Sequence, residues 1–184
     1  MEKGITAVWK GWNGESREYL TLGERGGNIY AESLIISHGG GRPFAARYVV
    51  ECDSDWRVRS VGVHLIGESH ETRLLSDGAG RWTDGSVELP DLKGAIDVDI
   101  FPTPFTNTLP IRRLGLGAGQ SADIAVAYIT LPEMSVTSAP QRYTCIEPLK
   151  IYRFESLDSD FKCDIEVDGD GLVVSYPGLF RRMR

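Results

Sequence analysis

Asp97–Arg113 reads DVDIFPTPFTNTLPIRR, a strand that runs into prolines and closes on two arginines. With Ala95 and Ile96 in front, its first part alternates: Ile96, Val98 and Ile100 against Asp97 and Asp99. A period of two puts the aliphatic side chains on one face, packed inward, and the two carboxylates on the other, about 7 Å apart. Pro102, Pro104 and Pro110 then each fix φ and withhold a backbone donor, so the chain is expected to turn rather than pair. Thr103, Thr106, Asn107 and Thr108 offer side chains that cap freed backbone groups or hold a ligand. Two readings stay open. In one, Asp97 or Asp99 pairs with Arg112 or Arg113 and Asn107 pins the turn. In the other, the hydroxyls and the planar guanidinium forks face a cavity and meet a sugar or phosphate head group.

The same alternation recurs on both sides of this stretch. Residues 46–53, 56–67, 95–101, 123–131, 149–156, 161–168 and 172–177 read as strands, and GITAVWKGW, SREYLTLGE and GNIYAESLIIS add three near the start. In WRVRSVGVH, Trp56, Val58, Ser60, Gly62 and His64 fall on one face and Arg57, Arg59, Val61 and Val63 on the other, so the apolar side changes within the strand. The 21 glycines and 9 prolines recur between these runs, and no segment keeps a helical period for three turns. The pattern predicts a mainly β, mostly antiparallel fold of about ten to twelve strands with little helix. YVVECDSDWR (48–57) and YRFESLDSDFK (152–162) align Tyr48 with Tyr152, Glu51 with Glu155, Asp55 with Asp160 and Trp56 with Phe161. This internal duplication suggests two related halves, roughly 1–93 and 94–184, in one domain.

Composition narrows the function classes. A net charge of −6 over 184 residues argues against nucleic acid or an anionic membrane as a general partner. The basic RRMR at 181–184 reads as a solvated end. Cys52, Cys145 and Cys163 lie far apart with no zinc spacing and read as buried thiols. His38, His64 and His70 lack ligand spacing, although His64 and His70 could meet across a hairpin; no metal and no cofactor is expected. The Asp-Ser-Asp runs and DGDG (168–171) have the chemistry of tight turns rather than calcium loops. GLGAG (115–119) reads as a hairpin loop, and neither GxSxG nor HExxH occurs. No apolar run approaches signal-peptide or membrane-span length, so the expectation is a cytoplasmic protein without stable membrane insertion, monomeric or homodimeric.

DVDIFPTPFTNTLPIRRL, the early VWKGWNGESREYL, the DGAGRW turn and the closing VDGDGLVVSYPGLFRR together resemble a bacterial family described as glycolipid-binding, formerly a domain of unknown function. The resemblance runs from about Val8 to Arg182. It implies a spiral β-roll similar to the open half-barrels of bacterial lipoprotein carriers, and it carries over no catalytic residues. A rolled sheet has a concave face that a helix, its own side chains or a ligand must fill. With poor helix signals, side chains or a guest are expected to fill it. Trp9, Trp12, Trp56, Trp82 and Phe105 are the candidate lining, and Asp97, Asp99, Thr106, Asn107, Arg112 and Arg113 the candidate polar site. The leading expectation is non-catalytic binding of a glycolipid or similar amphiphilic small molecule. One alternative is a hydrolase of glycosides or lipid esters using Asp residues near the Thr-Pro-Phe-Thr-Asn-Thr loop, with Glu51, Asp53 or Glu155 as further acids. Another is a structural interaction module.

Overall fold

Period-two patterning makes strands here, and the computed structural model describes them for residues 4–39, 41–69 and 71–183. His70 and Arg184, and with them the His64/His70 pairing and the end of the basic run, lie outside the described residues. The first run comprises β1 (Ile5–Gly11), β2 (Arg17–Arg25), β3 (Asn28–Gly39), β4 (Arg42–Cys52), β5 (Val58–Leu65), β6 (Glu71–Ser76) and β7 (Trp82–Thr83). The second comprises β8 (Asp97–Phe101), β9 (Ser121–Thr130), β10 (Ser135–Glu147), β11 (Ile151–Ser156), β12 (Lys162–Val167), β13 (Val173–Tyr176) and β14 (Phe180–Arg182). All fourteen belong to one sheet with β7 and β8 at its ends. The two runs join in the middle, where β1 pairs antiparallel with β14 and Trp9 faces Arg182. Among the described residues only β8 and β9 pair in parallel, which requires a crossover connection.

The fourteen strands exceed the expected ten to twelve by two to four. β7 and β14 are two and three residues long, too short to show a period, and the ETRLLS of β6 has no apolar–polar alternation. The omission of β10 has a specific cause: Pro140 interrupts a run with no simple alternation. Pro140 pairs with Ala125 of β9, while pairing with β11 starts only at Gln141 opposite Ser156. The proline sits just beyond the end of the β11 ladder, where its carbonyl still accepts the Leu157 N–H at 3.0 Å and a missing donor is tolerated. The change of apolar side in β5 is a β-bulge. Val58 faces Cys52 but Ser60 faces Glu51, so Arg59 is an extra residue and the buried positions move from Val58 to Val61 and Val63. The tight-turn reading of the Asp motifs holds. Asp53, Asp77 and Asp168 each accept the backbone N–H groups two and four residues on, at 2.7–3.1 Å.

The crossover shows where the opening stretch goes. Pro102–Ile111 turns rather than pairs, as expected, and does so inside the fold: all ten residues are buried. They form a 3-10 turn, Phe105–Asn107, leading into α1 (Thr108–Leu114). Pro110 lies in the first turn of α1, where no intrahelical donor is lost, and Gly115 ends the helix at φ 55°. At seven residues α1 is too short to display a helical period, so the sequence withheld it. The segment fills the roll, in place of the side chains or guest expected there. Phe105 and Leu109 pack with residues of β1–β6, β8 and β9, and Ile111 packs with Tyr143, Tyr152, Ile165 and Tyr176 from the second run.

Leu109 has no exposed surface. Replacing it by Ala is expected to cost about 2–5 kcal/mol of unfolding free energy in urea titrations. Val87→Ala, at a site 62% exposed, should change it by less than about 0.5 kcal/mol.

Candidate functional site

The buried segment is tied down at its entry by a glutamate that the motif analysis did not single out. Thr103 donates to Glu18 Oε1 at 2.8 Å, Tyr48 at 2.6 Å and Ser33 at 2.8 Å. Thr103 Oγ1 also accepts the Phe105 N–H at 3.0 Å, and Tyr48 stacks on Phe105 with ring centroids 6.3 Å apart. Glu18 Oε2 is buried with no partner. Desolvation pushes the Glu18 carboxyl up to about 7, against the downward pull of the three hydroxyls. One signal was present: Glu18 lies in phase with Leu20 and Leu22, the buried face of β2. An acid in register with core residues is a site to inspect.

Further along, Arg113 grips Asp97 with a fork, Nε to Oδ1 at 3.0 Å and Nη2 to Oδ2 at 2.6 Å. Asp97 is fully buried and the Arg113 side chain is 14% exposed. Burial pushes the Asp97 carboxyl up, and the guanidinium draws it back. Asn107 accepts from the Tyr143 hydroxyl at 2.9 Å and donates to the Pro104 carbonyl at 3.3 Å. The network reading therefore describes Asp97, Arg113 and Asn107. Arg112 goes elsewhere: its guanidinium stacks 4.9 Å over Trp56 and donates to the Asp170 carbonyl at 3.2 Å.

Asp99 has a different setting. Its Oδ1 accepts from Thr106 at 2.8 Å and its Oδ2 from the Gln141 amide at 2.7 Å. Burial holds its carboxyl above the ordinary range. The residue is only half-buried, because it opens onto a cavity of about 510 Å³. Thr103, Asn107 and Gln141 share the buried end with it, Phe154 and Tyr176 form part of the walls, and the exposed Asp158, Ser159 and Phe161 stand at the rim. A second hollow of about 700 Å³ adjoins it, sharing Phe101, Tyr128, Leu179 and Phe180 and reaching Trp12 and His38. Together they make one groove with a polar inner end and an aromatic wall.

Of the residues singled out in the sequence, Asp99 and Asn107 line this cavity, and Thr106 stands behind Asp99. Trp12, 47% exposed, borders the adjoining hollow. Trp9, Trp82 and Phe105 are sealed in the core. The two indole N–H groups bond the carbonyls of Val173 and Ala95, each at 2.7 Å. Trp56, Arg112 and Arg113 border hollows at the opposite end of β8 and the buried segment. Tyr128, Phe154 and Tyr176 lay within runs read as strands, but alternation alone does not say which buried ring meets a cavity. Gln141 belongs to the unread β10.

A family model described as "Putative glycolipid-binding" matches residues 6–182. The chain belongs to this family. The fold is similar to the crystal structure of a DUF1089-family protein from Pseudomonas aeruginosa. The two are 38% identical, with 90% of this chain and 92% of that chain covered and a TM-score of 0.79. No curated protein matches. Among the described residues no three His, Cys, Asp or Glu side chains converge as metal ligands, and no helix is long and apolar enough to cross a membrane.

Removing Arg113 leaves Asp97 buried and unpaired, so Arg113→Ala is expected to cost about 3–5 kcal/mol in chemical denaturation. Arg112→Ala, half-buried and stacked outside the core, should cost far less. Glu18 sets a pH dependence. A carboxyl at its ordinary 4.5 when unfolded and about 7 when folded binds more protons in the folded state. Its contribution to stability is complete below about 4.5 and is lost as pH rises through about 7. Between those values wild type should lose on the order of 3 kcal/mol relative to Glu18→Gln, measured by urea unfolding across pH.

Proposed function

We propose that the protein binds a glycolipid or similar amphiphile, without transforming it, with the head group in the Asp99–Gln141 cavity and the tail along the adjoining hollow. The observation that carries this reading is the cavity's division into a buried polar end and an aromatic wall. Each Asp99 oxygen uses one hydrogen bond internally and keeps a lone pair for a ligand hydroxyl. Aromatic faces of Phe154 and Tyr176 suit the apolar side of a sugar ring. The volume of about 510 Å³ lies within the range of about 300–1,000 Å³ common for small-molecule sites. Phe101, Leu179 and Phe180, shared by both hollows, give an acyl or alkyl chain an apolar path outward.

A glycosidase needs two carboxyls on opposite sides of the scissile bond. Asp97, the nearest acid in sequence to Asp99, is spent on Arg113 and does not border the cavity, and the cavity's other carboxylate, Asp158, stands at the exposed rim where it accepts from Ser156. That favours binding over hydrolysis. Native mass spectrometry of freshly purified protein, followed by solvent extraction, is expected to recover an amphiphile at near-stoichiometric occupancy. In calorimetry below the micelle concentration, octyl glucoside should bind saturably. Phe161→Ala, at a rim position 41% exposed, should weaken it about tenfold while the melting temperature holds. A wild-type protein that carries nothing and gives no saturable glycoside binding would sink the proposal.

A further inference from the structure

The charges around the cavity point to a narrower class of ligand. Its lining includes two carboxylates, Asp99 and Asp158, and no Lys, Arg or His. Asp97, two residues from Asp99 on the same strand, has its counter-charge in Arg113. Asp99 has only neutral donors, Thr106 and Gln141, and among the described residues neither it nor Asp158 forms an ion pair with a basic side chain. Asp99 is partly withdrawn from water without a counter-charge, which is costly, and a cation entering the cavity would offset that cost. The walls favour the same guest. Phe154, Phe161 and Tyr176 form a mutually contacting trio, with centroids 6.0 Å apart for Phe154–Phe161 and 6.3 Å for the other two pairs. Their ring faces attract a cation placed within about 6 Å. The adjoining hollow adds Glu15 and Glu133 against a single His38, and the Arg181 guanidinium, outside its lining, stacks on Trp12 at 5.7 Å.

We infer that the cavity selects an amphiphile whose head group carries a positive charge, as the ammonium of an amino sugar does, and disfavours phosphate, sulfate or carboxylate heads. The inference rests on the proposed binding of an amphiphile at this site and names its head group. It also reverses the expectation that Arg112 and Arg113 read an anion, since one is committed to Asp97 and the other stands at the far end of the fold.

The test compares three alkyl probes at pH 6 by calorimetry: octyl glucoside, its 2-amino-2-deoxy analogue, which is protonated there, and octyltrimethylammonium. The amino sugar is expected to bind at least tenfold tighter than octyl glucoside. Asp158→Asn, at an exposed site that leaves the core untouched, and Asp99→Asn, checked for an unchanged melting temperature, should each erase most of that difference. Raising salt from 0.05 to 0.5 M should shrink the preference and leave the neutral glycoside unaffected. Equal affinity for both glycosides, or a preference that survives both substitutions, overturns the inference while leaving glycolipid binding intact. Binding of the trimethylammonium probe with neither glycoside bound would keep the cation site and overturn the sugar assignment. No binding by any of the three overturns both.

Discussion

Ten consecutive residues of non-strand chain inside a β-roll create a hydrogen-bonding problem, and much of the molecule is arranged to solve it. Main-chain groups away from water must be paired. Three prolines at 102, 104 and 110 reduce the number of donors, and the short helical turns satisfy others internally. Threonine and asparagine side chains serve the remainder: Thr103 accepts the Phe105 N–H, and Thr106 accepts that of Ile100 at 3.3 Å. The acids supply the anchor points. Glu18 on β2 and Asp97 and Asp99 on β8 receive the segment's hydroxyl and guanidinium donors. Proline, threonine, asparagine and arginine in TPFTNTLPIRR are the composition of a plug threaded through a sheet, with the surface-turn chemistry moved indoors.

That explains what could be read from sequence and what could not. Strands with one buried face announce themselves through alternation, as in β2, β3, β4 and β9, and the bulge at Arg59 was visible as a change of apolar side. The plug was hidden because its signals are those of a turn. Proline and hydroxyl residues mean the same thing to local chemistry at the surface and in the interior; only the long-range contacts of Tyr48 and Tyr143 distinguish the two. The pairing of an aspartate with an arginine could be anticipated, but the choice of Arg113 over Arg112 depends on the helix that separates their directions. Gln141 and the wall of the cavity depend on which strands the roll brings together across more than forty residues, and no local pattern carries that.

The plug also divides the molecule's polarity. At one end Arg112 and Arg113 lie near Trp56, which adopts a positive φ of 64°, an unusual conformation for a bulky residue. At the other, carboxylates and aromatic rings surround an open volume. Of the four charged side chains that the sequence groups within seventeen residues, Asp97 meets Arg113 and Arg112 stacks on Trp56, while Asp99 is left with the cavity.

The pairing of β1 with β14 bears on how the chain comes to be folded during synthesis. The first strand is flanked by the second and by the last of the described strands, so its outer edge stays unsatisfied until some 170 residues later in the chain. Contacts of such separation slow folding, and an unpaired edge is open to wrong partners meanwhile. On a ribosome the seven-strand first run emerges with this edge bare and with its core face uncovered, because the plug follows it. The nascent first run therefore presents a bare strand edge and an uncovered apolar face until the plug and the last strand close them.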